Sequence, residues 1–176
     1  MVARARTSSI CMRWRGRALK SRMTRVSIRT ADKNDRSAIL ALADRLTAFG
    51  PTRRPAQEIV TRERRALAEA SEDLSPGSQL LVASQREVGV VGVMLLDTRH
   101  DYFTDEAHGH VAILAVAREA EGQGVGRALL GAAEAWGRKQ GFRRLTLAVF
   151  ADNRRAKEVY ARQGWEVELE TLYKVL

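Results

Sequence analysis

The stretch Leu114–Leu130, LAVAREAEGQGVGRALL, decides how the rest of the chain is read. An apolar run reads as a buried strand, passes a short charged connection, meets Gly122, Gly124 and Gly126, and turns directly into a helix. Strand, glycine turn, helix is an anion-binding design. Glycines leave successive backbone N–H groups approachable, and the free N–H groups and dipole of a helix start favour negative charge. Two familiar phosphate loops do not fit the letters. No Gly-Lys-Ser/Thr is present, and the sixth position from Gly122 or Gly124 is Arg127 or Leu129 rather than glycine. A glycine-rich helix start without a ligand is the plainer alternative.

The flanking sequence builds a mixed α/β domain outward from this turn. Val26 to Arg29 is a short strand, and Asp32 or Asn34 caps a helix carrying Ile39, Leu42, Ala43, Leu46 and Phe49, ended by Gly50 and Pro51. A second helix starts at Pro55, with Ile59, Val60, Glu63, Leu67 and Ala70 marking its turns. After a turn at SPGS (75–78), QLLVAS (79–84) and EVGVVGVMLLD (87–97) read as a hairpin joined tightly at Gln85 and Arg86. Residues 98–109, TRHDYFTDEAHG, are predicted to be a long loop, a candidate for substrate contact. HVAILAV (110–116) is a buried strand, and the helix after the glycines spans 127–140, with Leu129, Leu130, Ala133 and Trp136 on its apolar side. RRLTLAVF (143–150) is another strand, after which Asn153 caps a helix with Ala156, Val159 and Tyr160 inside. Both late helices end in Gln-Gly-aromatic, at 140–142 and 163–165, with glycine in the left-handed cap position and a strand following each. The predicted order is β α α β β β α β α β.

Composition bounds the partners. The chain has 176 residues, 45% hydrophobic, enough for one domain with a real core. Its 30 Lys and Arg against 21 Asp and Glu give +9, but eight of those cations (Arg4, Arg6, Arg13, Arg15, Arg17, Lys20, Arg22, Arg25) fall in residues 1–25, where there is no acid. The remainder is near neutral, so nucleic acid is not an expected partner. Residues 1–25 read as a basic, disordered extension and 26–176 as the domain; Met23, opening MTRVSIRTADKND, looks like a domain start. One cysteine, Cys11, excludes a disulfide framework and points to a reducing, cytoplasmic setting. No apolar run approaches the roughly 20 residues of a membrane span.

With these residues in place, the chain resembles the GCN5-related N-acetyltransferase (GNAT) family. That family's signature, Gln/Arg-x-x-Gly-x-Gly/Ala between the fourth strand and third helix, is matched by Glu121-Gly122-Gln123-Gly124-Val125-Gly126, with Glu121 in place of Gln or Arg. IRTADKNDRSAI (28–39) is similar to the family's first strand and helix, and NRRAKEVYARQGWE (153–166) to its Asn-x-x-Ala-x-x-x-Tyr-x-x-x-Gly-Phe segment, with Trp165 for Phe. The resemblance implies a mixed, mostly antiparallel sheet whose fourth and fifth strands splay apart, flanked by about four helices. It implies acetyl-CoA as co-substrate, no metal, and transfer to a small-molecule or peptide amine in a ternary complex. Dimers are common in the family.

By that resemblance, backbone N–H groups from Gly122 through Gln123, Gly124, Val125 and Gly126 to Arg127 cradle the pyrophosphate, and Leu114, Ala115 and Val116 offer main-chain groups to the pantetheine arm. The Leu114 N–H polarises the thioester carbonyl. Asn153 and Ala156 touch the arm, and Tyr160 gives a proton to the departing thiolate; a helix cap and a core aromatic are the plain readings of Asn153 and Tyr160. The proton acceptor is open, with His110 and Glu106 as leading candidates and Asp101 and His108 beside them. Arg127, Arg154, Arg155 and Lys157 are candidates for the ribose phosphate. A metal reading of HDYFTDEAHGH lacks helical spacing to converge its ligands. Two other functions fit the same letters: a non-catalytic acyl-CoA sensor, and a protein acetyltransferase recruited through the basic tail.

Overall fold

The computed structural model describes residues 26–48 and 54–175. In chain order they form β1 (Val26–Thr30), α1 (Arg36–Ala41), α2 (Ala56–Glu72), β2 (Gln79–Gln85), β3 (Gly89–His100), β4 (Ala107–Val116), α3 (Val125–Lys139), β5 (Leu145–Leu147) and α4 (Arg154–Ala161), with short 3-10 segments at both ends of α1 and before Glu121. The strands make one sheet in the order β1-β2-β3-β4-β5, antiparallel except for the parallel pair β4 and β5.

The central strands are apolar on both sides because both faces of the sheet are covered. Leu129, Leu130, Ala133 and Trp136 of α3 pack on Leu81, Met94, Leu96 and Val111. On the other face, Ile39, Leu42, Ala43 and Leu67 from α1, its 3-10 extension and α2 pack on Leu80, Val82, Val93, Leu95 and Ile113. Asp32 is the cap the sequence suggests. Its side chain accepts from the Asn34 N–H at 2.7 Å, and Asp35 returns the bond by accepting from the Asp32 N–H at 2.8 Å. Arg29 donates to Asp35 at 2.6 and 2.8 Å, which holds that buried carboxyl below its usual range against the cost of burial. Pro55 stands just outside α2 rather than in its first turn. Phe49, Gly50, Pro51 and the basic stretch 1–25 lie outside the described residues.

Three expectations are corrected. The long loop at 98–109 is mostly strand: β3 runs to His100 and β4 starts at Ala107, with Thr98, Arg99 and His100 opposite Gly109, His108 and Ala107. Arg99 and His100 are exposed, past the covered core, and backbone pairing continues beyond it. Only residues 101–106 turn, closed by the Asp101 carboxylate accepting from the N–H groups of Phe103 and Thr104 at 3.0 and 2.9 Å. The strand at 143–150 shrinks to Leu145–Leu147, because β4 stops pairing with it at Val111. Finally, residues 165–175 form neither helix nor strand; β5 offers too short an edge for the alternation around Val167 and Leu169 to pair with. Gly141 and Gly164 do end α3 and α4 with left-handed φ of 79° and 81°.

Candidate active site

Two backbone events open the sheet. Leu96 pairs with Val111 and Leu95 with Ile113, so Ala112 is an extra residue in β4. At the same level β5 leaves: Val111 opposite Leu147 is the last pair of the parallel ladder. From Ala112 to Val116, β4 is paired only on its β3 side. Main-chain N–H and C=O groups on the other side face a cleft of about 1060 Å³, walled by Val111–Val116, Leu147–Phe150, the glycine turn and α4.

The glycine turn sits at one end of this cleft. Gly122 and Gly124 have φ of 74° and 82°, and a Cβ on either would meet nothing within 4 Å. Gly124 is the residue before α3, in the left-handed region that an L side chain rarely adopts, so the N–H groups of the first turn start without a side-chain cap. The Ala128 N–H bonds back to the Gly124 carbonyl at 2.9 Å, leaving Val125, Gly126 and Arg127 as free donors at the positive end of a 15-residue helix. An anion such as a pyrophosphate fits this cradle. Gln123 does not line the cleft. Its side chain donates to the Glu119 carbonyl at 2.6 Å and accepts from Gln85 at 3.0 Å, bracing the turn against the end of β2.

Glu121 lies between two cations from opposite walls. One oxygen pairs with Arg45, from the 3-10 turn after α1, and the other accepts from Arg155 of α4 at 2.5 Å. Burial alone would raise this carboxyl, but Arg155 and Arg45 outweigh it and hold it below its usual range. Arg45 also donates to the Val116 carbonyl at 3.3 Å, tying the last residue of β4 to the same bridge. Arg45 is a residue the sequence reading missed, since nothing local links it to a position so far along the chain.

On the α4 wall, Asn153 caps the helix by accepting from the Ala156 N–H at 3.1 Å, and both residues line the cleft. Tyr160 lines it too while packing against Trp165, with ring centroids 6.2 Å apart. Burial raises its phenol pKa, so the hydroxyl stays protonated at neutral pH. Leu114, Ala115 and Val116 form the β4 wall, and Arg127 and Arg155 reach the cleft where Arg154 and Lys157 do not.

The acid and imidazole candidates on the hairpin are not brought to this cleft. Glu106 is at its exposed tip beside Arg143, five residues before Val111 and so about 17 Å away along the strand. Asp101 is occupied by its turn; the Thr104 N–H foremost, with the Thr104 hydroxyl, Arg144 and the Phe103 N–H, holds its carboxyl down to about 2. His108 and His110 are buried outside the cleft. His110 Nδ1 meets the Thr146 hydroxyl at 2.8 Å, and burial, then Arg99 and His108, lower its pKa to about 4. Among the described residues, no three His, Cys, Asp or Glu side chains gather as metal ligands, and no helix is long and apolar enough to cross a membrane.

The sequence pattern of the acetyltransferase (GNAT) family matches residues 39–165, and the chain belongs to that family of acetyl-CoA-dependent N-acetyltransferases. No curated protein sequence matches it. Solved structures share the fold. A Bacillus halodurans protein is 18% identical over 85% of this chain and 99% of its own, with a TM-score of 0.68. A ribosomal-protein-alanine N-acetyltransferase from Brucella melitensis biovar Abortus 2308 is 16% identical, covering 86% and 100%, at 0.64. An aminoglycoside N-acetyltransferase in complex with CoA is 17% identical, covering 86% and 95%, at 0.63.

Proposed function

We propose that the chain moves the acetyl group of acetyl-CoA directly to a primary amine bound in the same cleft, without an acyl-enzyme intermediate. The observation that carries this reading is the opening of the sheet after Val111, which exposes strand main chain beside the free N–H groups of α3. N–H groups of Gly122, Gly124, Val125, Gly126 and Arg127 hold the pyrophosphate, and Arg127 and Arg155 add charge. The main chain of Leu114, Ala115 and Val116 pairs with the peptide-like arm, as an added strand would, and the Leu114 N–H stabilises the developing oxyanion. Asn153 and Ala156 border the arm. Tyr160, held protonated by its burial, protonates the departing thiolate. Cys11 is the single cysteine of the chain, which supports a cytoplasmic, reducing setting.

Thermal denaturation with acetyl-CoA tests the cofactor half. A ligand that binds only the folded state at 100 times its Kd stabilises it by about 2.7 kcal/mol, so the Tm rises by several degrees; an unchanged Tm refutes the assignment. An amine panel read by release of free thiol tests the transfer, and aminoglycoside and N-terminal alanine peptide belong in it because similar folds act on them.

A further inference from the structure

Three carboxylates line the cleft, Glu63, Glu121 and Glu134, and Glu134 is paired with Arg138 of its own helix at 2.8 Å. Glu63 lies on α2 one turn after Ile59 and one turn before Leu67, on the stripe that faces the sheet. It lines the cleft with Leu46, Ile59 and Ile113, on the side away from α4. Glu121 is held by two arginines, but Glu63 makes no hydrogen bond or ion pair among the described residues. Desolvation raises its carboxyl above the usual range, opposed only by the charge of Arg62 on its own helix. The neighbouring 3-10 turn presents Arg45, which Glu121 engages, and β4 presents no titratable side chain between Val111 and Val116.

We propose that Glu63 receives the ammonium group of a primary alkylamine acceptor, whose alkyl stem lies against Leu46 and Ile59, and removes its proton. This rests on the reading of the cleft as an acetyl-CoA site. An alkylammonium ordinarily holds its proton to a pKa of about 10.4, some six units above a free glutamate. Moving both groups into the apolar end of the cleft lowers the amine and raises the carboxyl, which narrows that gap. Glu63 takes one proton from the ammonium and passes it to solvent. The neutral nitrogen attacks the thioester carbonyl carbon, forming C–N while C–S breaks. The second N–H proton leaves through the same carboxylate, Tyr160 protonates the thiolate and is recharged from solvent, and one proton is released overall. The same negative charge rejects amines that carry a carboxylate beside the nitrogen.

The test uses the full chain as wild type, Glu63→Gln and Glu63→Asp, with three readouts: the Tm rise with acetyl-CoA, calorimetric binding of n-hexylamine in the presence of CoA, and thiol release with n-hexylamine or spermidine. All three proteins are expected to keep the Tm rise. Glu63→Gln loses n-hexylamine affinity by about tenfold or more and transfer by about a hundredfold; Glu63→Asp recovers part of both. Glu63→Gln within about threefold of wild type in binding and transfer overturns the proposal. So does a wild type whose Tm rises with acetyl-CoA but which acetylates neither amine, and that result spares the cofactor reading. If acetyl-CoA leaves the wild-type Tm unchanged, the cofactor reading fails and this proposal falls with it.

Discussion

Among the described glycines Gly109 leaves the least room for a side chain, and Gly109→Ala tests whether the packing at the root of the cleft sets the geometry above it. A Cβ on Gly109 would stand 2.5 Å from Leu145 Cδ2, 2.7 Å from Trp136 Cζ3 and 3.2 Å from Phe142 Cδ2. The Leu145 methyl can swing aside. Trp136 cannot, since it is 6% exposed and its ring meets Phe142 edge to face at 5.4 Å. Overpacking of this kind costs about 1–3 kcal/mol. A domain of this size loses about 2–4 °C of Tm per kcal/mol, so the expected drop is about 2–12 °C. Because Gly109–Val111 are the β4 residues that pair with β5, the strain falls on the ladder that holds the two strands together below the cleft. Gly131→Ala is the control: it sits inside α3, its Cβ meets nothing within 4 Å, and it should stabilise by up to about 1 kcal/mol. Thermal unfolding followed by circular dichroism separates them, and the loss at Gly109 should shrink in a Leu145→Ala background. A Gly109→Ala protein melting within about 1 °C of wild type would refute the argument.

Two further outcomes follow from burial. Tyr160→Phe keeps the ring that packs on Trp165 and removes the proton donor, so kcat for thiol release should fall by about 10- to 100-fold with little change in KM for acetyl-CoA; an unchanged kcat removes the general-acid role. His110 stays neutral in the folded chain down to about pH 4, while an unfolded histidine takes its proton near 6.5. Below pH 6.5 the unfolded state therefore binds more protons, and stability declines as pH falls from 6.5 to 4, by about 3 kcal/mol in all before levelling. Urea unfolding at pH 7.5 and 4.5 should show that loss, and His110→Gln should remove most of it; equal slopes in the two proteins would contradict the buried, neutral imidazole.

What the letters disclosed was local. The glycine spacing at 122–126, the Asp32 and Asn153 caps and the left-handed ends at Gly141 and Gly164 each follow from conformational demands that neighbouring residues satisfy, and each stands in the structure where the sequence places it. Hairpin polarity misled the reading of 98–109, because side-chain alternation reports which faces are buried, not where backbone pairing stops. The sequence sets Glu63 among the residues that mark the turns of α2, and only the fold brings it to the cleft. The bridge of Arg45, Glu121 and Arg155 joins three elements distant in the chain, and no window of sequence contains it.

The feature on which the site depends has the least sequence signal of all. Nothing in VAILAV marks Ala112 as an added residue, since alanine, isoleucine and leucine are all at home in a doubly covered strand. The bulge nevertheless changes which side chains face α3. Val111 and then Leu114 and Val116 point that way, while Ala112, Ile113 and Ala115 face α1 and α2. A regular strand would have placed Ile113 and Ala115 with Val111, against α3. The added residue instead keeps Ile113 and Ala115 in the second core, while β5, released at Leu147, leaves one side of the main chain from Ala112 to Val116 open to the cleft. One inserted residue and one lost strand partner, acting at the same level of the sheet, supply both the core packing and the unpaired backbone that the proposed chemistry requires.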